Sequence, residues 1–135
     1  AGLDYDHGTG HGVGHFHSVH EAPQRISKTP IQVPLKPGMI ISNEPGYYKT
    51  GAYGIRIENL VTVVPCTELA GAERKMLAFE TLTFAPIDRA LIDRSLLVAA
   101  EIEWLDAYHA KVFAMVSEAL DVGGKRWLEM ATKPL

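Results

Sequence analysis

Cysteine is almost missing from this 135-residue sequence: Cys66 stands alone, so no internal disulfide can form, and a reducing, cytoplasmic setting is expected. No apolar run approaches the ~20 residues that cross a bilayer. Basic residues have no excess either. Thirteen Lys plus Arg stand against 16 Asp plus Glu, for a net charge of −3 with no basic block. That argues against binding nucleic acid through its phosphates and against a polybasic membrane contact. Internal repeats and low-complexity linkers are absent. An initiating Met and a signal peptide are absent as well, so the chain reads as the tail of something longer. What is there, 47% hydrophobic and 21% charged residues, suits one ordinary globular domain with a real core.

The richest stretch comes first. His7-Gly-Thr-Gly-His11-Gly-Val-Gly-His15 has glycine at every second position and carries three imidazoles, and five of the six histidines fall at positions 7, 11, 15, 17 and 20. Glycines at 8, 10, 12 and 14 let another backbone or a ligand approach closely, and they would each cost a helix roughly 1 kcal/mol relative to Ala. An extended segment would put 11, 13, 15 and 17 on one face.

Residues 21–37, with prolines at 23, 30, 34 and 37, read as a long loop ending in a Lys36-Pro37-Gly38 turn. Met39–Glu44 and Tyr53–Val64 read as strands, joined by a turn of hairpin length and therefore antiparallel. Glu44 and Glu58 fall near the turn end of that pair. Residues 78–85 read as a third strand, closed by Pro86. Asp88 and Asp93 sit near the starts of short helical turns. From Val98 to Leu120, Ile102, Leu105, Val112, Met115, Ala119 and Leu120 follow helical spacing, with Gly123-Gly124 as the stop and a last helix over 125–132.

Imidazole nitrogen and ionised carboxylate oxygen suit a divalent ion such as Zn, Mn, Co or Fe, and oxygen-rich sets lean toward Mn. Solvated carboxylates and hydrogen-bonded histidines are the plainer alternative. The local context favours the metal: Ile-Ile-Ser-Asn-Glu44 and Ile-Arg-Ile-Glu58-Asn set each acid in an apolar run, where an ionised carboxylate needs a cation or strong hydrogen bonds. His11, Glu44 and Glu58 are the expected donors.

The runs His7-Gly-Thr-Gly-His11-Gly-Val-Gly, Val19-His20-Glu21, Glu44-Pro-Gly-Tyr-Tyr48, Gly54-Ile-Arg-Ile-Glu58-Asn and Trp104-Leu-x-x-Tyr-His109 resemble, in that order, the pita-bread metallopeptidases, and within them the long, three-domain form of the X-Pro aminopeptidases (aminopeptidase P). The resemblance covers nearly the whole chain. It implies an α+β fold over residues 1–135, the C-terminal half of a pita-bread domain, with a curved antiparallel sheet followed by helices. It implies hydrolysis of the bond between an N-terminal residue and a following proline, with peptides as partners. His11, Glu44 and Glu58 would be metal ligands, Glu44 also the general base and Glu58 the bridge between two ions. His20 would hydrogen-bond the carbonyl oxygen, and His7 would shape the proline pocket. Arg56 would order the site, or equally form an ion pair with a nearby carboxylate. His15 and His17 are read as accessory or structural, and Tyr47 and Tyr48 as packing. Ala22 stands where such proteins usually carry Gly.

Two further aspartate ligands of that family's dinuclear site have no counterpart here, since Asp4 and Asp6 lie too close to His11. The expectation for this chain alone is one divalent ion, Mn foremost, or none, with no measurable catalysis. Sheet surface left uncovered would favour a homo-oligomer. Another hydrolase of the superfamily, such as a prolidase, and a non-catalytic peptide-binding pita-bread module remain the alternatives.

Overall fold

The computed structural model describes residues 2–16, 18–67 and 69–135, which leaves His17 outside the described residues. The chain forms two compact units, Ala1–Thr83 and Phe84–Leu135.

The first unit is an antiparallel sheet. Strands β1 (Gly10–Gly12), β2 (Glu21–Ile26), β3 (Ile40–Asn43), β6 (Asn59–Cys66) and β7 (Met76–Thr81) lie in the order β2-β1-β3-β6-β7, while β4 (Gly46–Lys49) and β5 (Tyr53–Arg56) make a separate two-stranded ribbon. Ile41, Val61 and Val63 are buried at its centre, with Ile26, Leu35 and Met39 packed on them. Alternation along β6 puts Val61 and Val63 on one face, as period two requires.

Strand β1 is squeezed between β2 and β3. A Cβ on Gly10 would collide with the carbonyl oxygen of Ser42, and one on Gly12 with that of Glu21. The glycine-rich run is thus needed for close backbone approach. Part of the expected 21–37 loop is strand β2. Its prolines hide that, but Pro23 sits on an edge strand, in a three-residue stretch that the ladder skips: His11 pairs Arg25 while Gly12 pairs Glu21. A missing N–H costs nothing there.

The expected strand 53–64 is interrupted at Ile57-Glu58, and the expected 39–44 strand breaks at Glu44-Pro45. The pairing nevertheless keeps one register. Asn43 lies opposite Asn59, and Gly46 opposite Arg56. The hairpin was legible; the break in its middle was not. The expected third strand runs from Met76 to Thr81 rather than 78–85.

In the second unit, Asp88 and Asp93 cap two 3-10 turns, each accepting a backbone N–H two residues on. Helix α1 (Ala99–Val116) and helix α2 (Val122–Ala131) follow. Leu105, Tyr108 and Val112 of α1 pack with Leu128 of α2. Met115, expected in the core, is 61% exposed. Gly123-Gly124 is no stop. The pair lies in the first turn of α2, whose N-cap Asp121 accepts from the Gly124 N–H at 2.7 Å.

The Tyr-His pair ending the Trp104–His109 run has a structural use. Tyr108 donates its hydroxyl to the Ala85 carbonyl at 2.8 Å, and the Ile87 N–H donates to His109 Nε2 at 3.0 Å, zipping an extended segment onto α1. His109 is fully buried, and burial followed by the charge of Arg89 pushes its pKa below the ordinary 6.5. The folded state therefore resists the proton that the unfolded chain accepts. This contribution to stability is fully present above about pH 6.5 and is lost as pH falls toward the folded pKa. Melting curves recorded from about pH 7.5 down to about pH 5 are expected to show falling stability for this unit, and His109→Gln is expected to flatten that slope.

Candidate metal centre

His11 reaches the centre from β1, at the point where the β1–β2 register shifts, an irregularity that re-aims side chains. Its Nδ1–H donates to the Gly12 carbonyl at 2.8 Å. That fixes the ring and turns Nε2 toward Glu44 Oε1, 3.2 Å away. Ser42 completes the corner: its hydroxyl accepts from the His11 N–H at 3.0 Å and donates to Glu44 Oε1 at 2.8 Å. The Glu44 N–H donates to the Thr9 carbonyl at 2.7 Å. Glu44 is only 9% exposed, and Ser42 1%.

Glu58 is placed differently. With the ladder's register continued, Glu44 and Glu58 fall opposite one another at the break between the two ribbons. Like charges so placed repel and call for a cation. Arg56 supplies one: its Nε lies 3.2 Å from Glu58 Oε2 and 3.9 Å from Glu44 Oε2. Glu58, expected in an apolar run, has a side chain 42% exposed. Among the described residues no three His, Cys, Asp or Glu side chains already stand as a ready-made metal cage. The structure brings His11 to Glu44 and brings Arg56 to both acids. It ties Glu58 to the centre through Arg56.

The other expected site residues gather around this core. His20 packs its ring on His11, with centroids 4.2 Å apart. His7 donates from Nδ1 to the Gly8 carbonyl at 2.7 Å, so its Nε2 accepts from the Tyr48 hydroxyl, also at 2.7 Å. The Tyr48 hydroxyl beside Arg56, followed by the two glutamates, holds the guanidinium's pKa above its usual value. Tyr48 thus stands between His7 and Arg56. His15 stands apart: its backbone N–H donates to Glu21 Oε2 at 3.3 Å.

Ser42 and Tyr48 were missed by sequence reasoning. Ser42 lies two residues before Glu44, on the same face of an extended strand, and that spacing was the available signal. Tyr48 gave none, because its partners are 41 residues upstream and across the ribbon.

A divalent ion fits the donor set. With Nδ1–H given to a carbonyl, Nε2 is the ring nitrogen that faces the nearly buried carboxylate oxygen, and a neutral ring would turn a lone pair toward it. Two acceptors face to face need a cation between them. His11 and Glu44 would hold it, with Glu58 the next donor once released from Arg56.

Residues 1–65 match the model for metallopeptidase family M24, and residues 75–135 match the C-terminal region of peptidase M24. The chain belongs to metallopeptidase family M24 and has the pita-bread antiparallel sheet with C-terminal helices. It is 49% identical over 140 aligned residues to a probable Xaa-Pro aminopeptidase P of Tuber melanosporum, covering 99% of this chain and 22% of that protein. It is 50% identical to aminopeptidase P2 of Arabidopsis thaliana, covering 99% and 19%. Among solved structures it is similar to X-prolyl aminopeptidase from Caenorhabditis elegans, described as a cytosolic enzyme with a di-nuclear active site. That match has 43% identity and a TM-score of 0.87, over 99% of this chain and 22% of that one. The chain spans about a fifth of the length of the curated relatives it matches. No helix of the described residues is long and apolar enough to cross a membrane.

Proposed function

We propose that the protein is a metal-dependent aminopeptidase that hydrolyses the bond between an N-terminal residue and a following proline, and that this chain is the C-terminal portion of its catalytic domain. The observation that carries this is His11 Nε2 set 3.2 Å from a nearly buried Glu44, beside a second carboxylate directly across the ladder. Oxygen-rich donors favour manganese, with Zn or Co as substitutes. The three donors of this chain, His11, Glu44 and Glu58, suit one ion plus water, and the chain by itself is expected to be inactive. A second ion belongs to the whole protein. A bound divalent ion supplies Lewis acidity to the scissile carbonyl and to water.

The side chains do the rest. Glu44 takes the proton from the attacking water and, held by Ser42, hands it to the leaving proline nitrogen. His20, packed on His11, donates to the carbonyl oxygen as charge builds there. His7, fixed by Tyr48, walls the pocket for the proline ring. Arg56 keeps the two carboxylates from repelling each other apart. The lone thiol and the cytosolic relative support a cytoplasmic location. Exposed Leu77 and Phe79 on the edge strand β7 support self-association.

Manganese-dependent release of the first residue from an X-Pro-Pro peptide by the whole protein is the direct test. No release with Mn, Zn or Co would overturn the proposal. Tyr48→Phe is expected to lower that rate about three- to tenfold, because His7 and Arg56 both lose their common partner while the ring stays.

A further inference from the structure

One exposed guanidinium beside the centre has no ion-pair or hydrogen-bond partner among the described residues. Arg25 lies directly across the β1–β2 ladder from His11. Such pairs point to the same face, with Cβ atoms about 4.5–5.5 Å apart. Arg25, His7, His11, His20, Glu44 and Arg56 line one cavity of about 550 Å³, the size of a small-ligand site. The charge of Arg56 is answered by Glu44 and Glu58, whereas no carboxylate among the described residues forms an ion pair with Arg25. The cavity is therefore polarised. Carboxylates stand at the break in the hairpin, an arginine unpaired among the described residues stands on β2, and His11 lies between them.

We propose that Arg25 binds the free C-terminal carboxylate of a short peptide, and so gives the protein a preference for di- and tripeptide acids over amidated or longer chains. A short peptide is a zwitterion of matching polarity. In the metal-free protein its ammonium is drawn toward the glutamates, which leaves its carboxylate on the Arg25 side. A guanidinium is suited to this because its fork takes both carboxylate oxygens at once. The placement of the cleaved bond at His11–Glu44 rests on the peptidase proposal; the capture of a carboxylate by Arg25 does not.

The test is calorimetric titration of the whole protein, with chelator present so that no bond is cut, using Ala-Pro-Ala as free acid and as C-terminal amide. The acid is expected to bind about tenfold more tightly. Arg25→Ala is expected to bring the two affinities together, and Arg25→Lys to keep part of the difference, since an ammonium offers charge without the fork. A third peptide, Ala-Pro-Asp amide, separates a terminal carboxylate from an acidic side chain and is expected to bind like the Ala-Pro-Ala amide. Equal affinity for acid and amide, or a preference that survives Arg25→Ala, overturns the proposal, as does an Asp amide that binds like the acid. Failure of the peptidase proposal would show separately, as no metal-dependent release from either tripeptide without chelator.

Discussion

Glu44→Gln is expected to reduce metal-dependent cleavage of an X-Pro-Pro peptide by at least about 100-fold, toward the 10⁴-fold end of what loss of a general base costs. The substitution keeps shape and volume. The Ser42 hydroxyl can still donate to the side-chain oxygen, so the corner of β3 stays in place. What goes is charge and basicity. His11 Nε2 no longer faces an anion, Arg56 keeps Glu58 as its carboxylate partner, and the carboxylate base beside His11 is gone. Metal content falls with the rate, because one of the donors has become a poor one. Turnover and elemental analysis of the same preparation check this. A glutamine variant that keeps more than about a tenth of the rate would show that the proton is taken elsewhere.

Leu128→Ala is expected to cost about 2–5 kcal/mol of unfolding free energy for the helical unit. Leu128 is 1% exposed and is the one fully buried side chain that α2 contributes to the Leu105–Tyr108–Val112 cluster. Removing it takes away the apolar contact that docks α2 on α1, in a unit with only four buried core residues. The neighbouring Met130, 54% exposed, is the control: Met130→Ala should stay within about 0.5 kcal/mol. Denaturant unfolding followed by helix signal measures both. Equal effects would mean that α2 is held by something other than its buried face.

The candidate donors could be named from the sequence because their chemistry survives in short words. His11, Glu44 and Glu58 each stand in a run whose neighbours are unusual for them: glycines around an imidazole, isoleucines around a carboxylate. Resemblance to a known family supplied the roles, which spacing alone did not. The break at Glu44-Pro45 and Ile57-Glu58 was not legible, because Tyr53–Val64 alternates as one unbroken strand and the interruption comes from pairing across the ribbon. Strand β2 was hidden by Pro23, which an edge position tolerates, and by the prolines that follow it. Met115 shares the helical spacing yet is exposed, since such spacing gives a stripe without saying how far round the neighbouring helix reaches.

By itself the sequence determined strands followed by helices, the antiparallel hairpin carrying both glutamates, and the imidazole that belongs with them. These are local facts, set by period, by turn residues and by the few side chains that carry charge in apolar company. Only the tertiary structure decided that Glu44 is sheltered while Glu58 is not, that Arg56 stands between them, and that Tyr48 and Ser42 hold the edges. It also put Arg25 opposite His11. Distances between residues far apart along the chain depend on register and on skipped rungs, and a single missed rung moves a side chain to the other face.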